Sequence, residues 1–160
     1  KKFEKFLKID LKRYKFTTEI SKILWENDFK YLVSYYSEDF SLRNFLNPRN
    51  LNKISKPLIP DHLLYCGERP LIIRTSFEKE IVDYLKKSKT YPRVIIIKKN
   101  IYFVALNVLK AKEIEDVFKS YLYLNSVNNT KRSLSKKEMK RLDSYHPQKN
   151  RLRFWFNYIK

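Results

Sequence analysis

Asp61 and His62 put a carboxylate beside an imidazole, the one local pair in the sequence that can do chemistry. A carboxylate beside a histidine can orient the ring, leaving the other nitrogen to ligate a metal or touch a substrate. A structural reading stands beside the chemical one, with Asp61 capping a turn and His62 making a hydrogen bond in the fold. Cys66 is the only cysteine, and in apolar surroundings such a thiol packs as a small hydrophobic residue. The second of the two histidines, His146, is far away in the chain, and no His-x-His pair occurs. A three-histidine zinc site therefore cannot be built from this chain alone. With one glycine, Gly67, the sequence carries neither a P-loop nor a dinucleotide fingerprint, and it has no Cys-x-x-Cys pair and no Ser-His-Asp order.

The elements around this pair are read from residues 56–73. Pro57 and Pro60 bracket Leu58 and Ile59 and hold the chain extended. The apolar run 63–65 is followed by Gly67, then Pro70 opens a second apolar run, 71–73. The pattern predicts strand, tight turn and strand, with Asp61 and His62 at the mouth.

Upstream, Phe3, Phe6, Leu7 and Leu11 recur at helical spacing. Periods near 3.6 predict helices over 18–26 and 28–36, with a break or cap at Asn27-Asp28, and a short helix over 41–46 stopped at Asn47-Pro48. Downstream, Thr75 and Glu78 have the spacing of a capping box for a helix reaching about Lys87. Residues 94–97 are an uninterrupted β-branched run suited to a central strand, and residues 98–100 turn the chain into a strand over 101–106. Asn107 is placed to cap a helix whose apolar stripe is Ala111, Ile114, Val117, Phe118, Tyr121 and Leu122. Residues 125–133 read as a polar loop. Ser135 and Glu138 form a second capping box, stapled by Leu134 and Met139, for a helix to about Leu142. The aromatic and basic tail 151–160 is expected to pack on the domain or on a partner. The fold class is α/β, a mixed sheet with flanking helices in two or three layers and a helical N-terminal section.

The Pro60-Asp61-His62 run with Gly67 and Pro70-Leu71 resembles a segment of the class II aldolase/adducin family. Pro92-Arg93-Val94 with its apolar strand, the following strand 101–105 and Ala111-Lys112-Glu113-Ile114 resemble later segments of the same family, in the same order. The resemblance spans roughly residues 40–145. It implies the C-terminal half of a sugar-phosphate aldolase-like protein, a lyase whose divalent metal, usually zinc, polarises a ketose-phosphate carbonyl and stabilises the enediolate. On this reading Asp61 and His62 are the catalytic candidates, His62 is the one metal-ligand candidate, and the remaining ligands lie outside the chain or on another subunit of a homo-oligomer. Family glycines at the turn and strand end are replaced by Lys98, Lys99, Asn100, Leu106 and Asn107. That departure leaves open a degenerate, non-catalytic assembly domain.

Composition sets outer bounds. The chain has 160 residues, 43 % hydrophobic and 16 % aromatic, which is enough for one folded domain and excludes a disordered basic tail. Within it, residues 1–55 read as a helical section, 56–125 as the α/β core and 126–160 as a C-terminal loop, helix and tail. The only methionine is Met139, so Lys1 is no initiator and a longer parent chain is expected. No apolar run approaches the roughly 20 residues of a membrane span. A lone cysteine favours a reducing, cytoplasmic setting. The formal charge of +18, from 35 Lys and Arg against 17 Asp and Glu, raises a nucleic-acid-binding module as the alternative function. The competing explanation is a coding bias toward Lys, Asn, Ile, Phe and Tyr, because the basic residues are scattered.

Overall fold

A computed structural model describes residues 11–46, 48–51, 54, 56–127 and 132–145. The expected helical spacing at 3–7, the tail 151–160 and His146 lie outside the described residues.

The described chain runs α1 (Leu11–Glu26), β1 (Val33–Tyr36), α2 (Phe40–Phe45), α3 (Pro48–Leu51), α4 (Pro60–Cys66), β2 (Leu71–Ile73), α5 (Phe77–Ser88), β3 (Val94–Ile97), β4 (Asn100–Ala105), α6 (Val108–Val127) and α7 (Lys136–Ser144). The strands form one mixed sheet in the order β1-β4-β3-β2. β1 and β3 flank β4 antiparallel, while β2 joins β3 in parallel across the α5 crossover. The α/β class with flanking helices is thus the fold.

The sheet divides two apolar cores by the period of two that strands impose. Val94, Ile96, Ile101, Phe103 and Ala105 face one side, where they meet Leu42, Cys66 and the α6 stripe of Ala111, Ile114, Phe118, Tyr121 and Leu122. Ile95, Ile97, Tyr102 and Val104 face the other side, against Ile20, Ile23 and Leu24 of α1 and Ile81 and Leu85 of α5. Every residue of β3 is buried, which is why its sequence is continuously β-branched and does not alternate. Three layers result: helices, sheet, helices.

Three expected elements differ in the structure. Residues 63–65 are no strand, because they belong to α4. Pro60 occupies its first turn, Asp61 gives that turn an acidic residue, and Gly67 closes it at φ 80°, the Pro-first, Gly-last signature of a helix. Its buried residues are His62, Leu64 and Cys66, a period-two pattern that imitates a strand because this short helix is covered on more than one side. The second predicted helix, over 28–36, is replaced by a turn and β1. Asp28 adopts φ 70° and Phe29 N–H returns to Leu24 O at 2.9 Å, which ends α1 firmly. Val33–Tyr36 then pairs with β4, and Ser34 N–H and hydroxyl are taken up by Ser21 and Thr17 of α1. The cap of α5 also differs. Glu80, not Glu78, reaches back, accepting from the N–H groups of Arg74, Thr75 and Ser76. At α7 the expected capping box is present, with Ser135 and Glu138 bonded reciprocally. Asn107 Oδ1 likewise accepts from Lys110 N–H at 2.9 Å.

Candidate functional site

α4 presents its side chains in two directions, and both bear on function. Asp61 is exposed on its first turn, whereas the neighbouring His62 ring is 1 % exposed. The structure therefore separates the pair, with Asp61 at the surface and His62 inside. The His62 ring meets Tyr121 of α6 edge-on, with centroids 4.7 Å apart. Its Nδ1 accepts from Leu58 N–H over 3.4 Å, a long bond that puts the proton on Nε2. That Nε2 is buried and finds no hydrogen-bond partner among the described residues. Tyr121 hydroxyl donates to Lys56 O at 3.0 Å, so the same ring fastens the segment leading into α4. Burial pulls the His62 pKa down to about 4 from 6.5, although the Asp61 charge opposes the shift.

Cys66 lies one turn further along, 3.9 Å from Ile114 O, and burial pushes its thiol up to about 12. A thiol held so firmly protonated is no nucleophile. Among the described residues no group of three His, Cys, Asp or Glu side chains is placed to hold a metal. Around His62, Tyr121 meets the ring edge-on and Cys66 Sγ lies 3.9 Å from Ile114 O.

On another side of α4 a cleft of about 390 Å³ opens between α4, the end of α5 and α7. Leu63, Leu64, Gly67 and Glu68 line it from the first motif stretch, and Tyr91 and Arg93 from the Pro92-Arg93-Val94 stretch. Tyr84, Ser88, Thr90 and Met139 complete the walls. Arg93 Nη1 donates to Leu63 O across 3.5 Å, at the limit of a hydrogen bond, and the guanidinium also bonds Tyr91 hydroxyl. Burial raises the Tyr91 hydroxyl to about 12 despite this cation, and burial raises Tyr84 as well. Sequence reasoning treats Arg93 only as part of a motif and finds no cleft. The residues that meet there are scattered between positions 63 and 139, and no local spacing signals their convergence.

A third polar group ties β1 to α6. Ser37 hydroxyl donates to the buried Glu115 carboxylate, and Lys119 Nζ lies 2.9 Å from Asp39 and 3.8 Å from Glu115. The Ser41 hydroxyl, with Lys119, holds the Asp39 carboxyl well below its usual range. Each charge here has an opposite partner, and the arrangement works as a clamp.

Comparison of the chain with models of known protein families, with curated proteins and with solved structures finds no match.

Proposed function

We propose that the chain is the C-terminal part of a class II aldolase-like, metal-dependent carbon–carbon lyase acting on a sugar phosphate in the cytoplasm. In this reading the described residues build the sheet and its helical layers, and a homo-oligomer or upstream sequence supplies the zinc ligands. His62 serves as a joint between α4 and α6.

The observation that carries the reading is the backbone at Lys98. The resemblance puts a glycine turn between the strands now seen as β3 and β4. Lys98 holds φ at 59°, a conformation that glycine adopts without penalty. A lysine kept in a glycine's conformation is what replacement of an ancestral glycine would leave. The motif stretches support it too, since they occupy successive joints of one α/β unit: α4 into β2, α5 into β3, and the opening of α6.

The test is metal analysis and ketose-1-phosphate cleavage with the natural full-length protein. The expected result is a bound divalent ion and release of a three-carbon phosphate that stops on chelation. Metal-free protein with no cleavage of any ketose 1-phosphate tested would overturn it.

A further inference from the structure

The cleft beside Arg93 carries a specific electrostatic pattern, and it stands apart from the aldolase reading. Its floor holds a guanidinium at the start of β3, a partly buried cation next to two tyrosines. Opposite charge is also present. Glu68 lines the cleft, α4 ends there at its cap Gly67, and α5 ends there at Ser88. Helix C-termini direct partial negative charge outward and favour cations. A simple anion would meet Arg93 favourably and these groups unfavourably, and a simple cation the reverse. One molecule with a charge of each sign satisfies both. The walls between are apolar or aromatic: Leu64, Met139, Tyr84 and Tyr91.

From this pattern we propose that the cleft binds a zwitterionic α-amino acid with an apolar side chain. The carboxylate goes to the Arg93 fork, whose long bond to Leu63 O is the one it displaces. The ammonium goes to Glu68 and the carbonyl ends of α4 and α5, and the side chain lies against Met139 and the tyrosine rings. The volume of about 390 Å³ falls in the range of small-molecule sites and admits a ligand of phenylalanine size.

Isothermal titration calorimetry of the purified chain with L-phenylalanine tests the assignment, with N-acetyl-L-phenylalanine and phenethylamine as probes lacking one charge. Saturable binding in the millimolar range is expected for so small a ligand. Each probe lacking a charge should bind about tenfold more weakly, the loss of one charge-assisted bond. Arg93→Met should weaken L-phenylalanine by a similar factor. Glu68→Gln, at an exposed position that leaves the fold intact, should weaken L-phenylalanine but not N-acetyl-L-phenylalanine, an anion that the lost carboxylate would only have repelled. No saturation by L-phenylalanine or L-leucine would overturn the proposal. So would N-acetyl-L-phenylalanine binding more tightly than L-phenylalanine, the mark of anion attraction to a +18 surface. If Arg93→Met fails to fold, the Glu68→Gln comparison decides, and equal affinity for L-phenylalanine in that variant and the parent also overturns it.

Discussion

Gly67 shows how much one residue can reveal. It is the only glycine in 160 residues, and it sits at φ 80°, ψ −177°, a region that is essentially closed to side chains. A Cβ built there would meet nothing within 4 Å, so space is not the reason for glycine. Backbone conformation is. Gly67→Ala is therefore expected to cost about 1–3 kcal/mol, measurable as a lower urea midpoint with the slope unchanged. At the same scale, the Asp61-His62 pair was legible in the sequence only as two adjacent residue types. Which one faces inward depends on α4 being a helix, and on Tyr121, 59 positions away, closing over the ring. No spacing near His62 encodes that partner.

Elements divide by the length of their local signal. β3, β4 and α6 were readable because a β-branched run and a six-residue stripe at helical spacing each point one way. α4 has seven residues and β1 four, and in such short pieces burial from several sides overrides periodicity. The α5 cap was misplaced by two residues for a similar reason. Glu78 and Glu80 both lie in the first turn, and only the fold decides which reaches the three N–H groups. Glu80→Ala should cost about 1 kcal/mol, whereas Glu78→Ala should change stability by less than about 0.5 kcal/mol. Burial opposes ionisation of Glu80, but the N–H bonds of Thr75 and Arg74 prevail and lower its pKa from 4.5. Its contribution is thus present above pH 4.5 and is lost as pH falls through the lowered value; denaturant midpoints across acid pH, compared with Glu80→Gln, check the sign. The turn between β3 and β4 offers a gain. Lys98 has positive φ and Lys99 does not, the φ pattern of a type II′ hairpin that prefers glycine first. Lys98→Gly should stabilise by about 0.5–1 kcal/mol, seen as a raised thermal midpoint.

At the level of the molecule, the positive charge of the described residues is not gathered on one side. Exposed lysines occur on α1 at Lys12, Lys15 and Lys22, on α5 at Lys86 and Lys87, on the hairpin at Lys98 and Lys99, and on α6 at Lys112. Both helical layers carry them. Such a distribution destabilises the compact state through self-repulsion, so salt should help. The thermal midpoint is expected to rise between about 0.05 and 0.5 M sodium chloride, where screening shortens from over 10 Å to a few ångströms. No helix among the described residues is long and apolar enough to cross a membrane. The three layers instead share one purpose, to enclose both faces of a four-stranded sheet, and His62 joins α4 to α6 within one of them. The proposal that the described residues hold the fold and that any metal ligands lie elsewhere is tested most directly by an NMR pH titration of the His62 ring, with and without zinc. An enclosed, neutral ring titrates near pH 4, shows no zinc-dependent shift, and destabilises the fold as pH falls from 6.5 toward 4, because the unfolded chain takes the proton first. A ring titrating near 6.5 and shifting with stoichiometric zinc would contradict it.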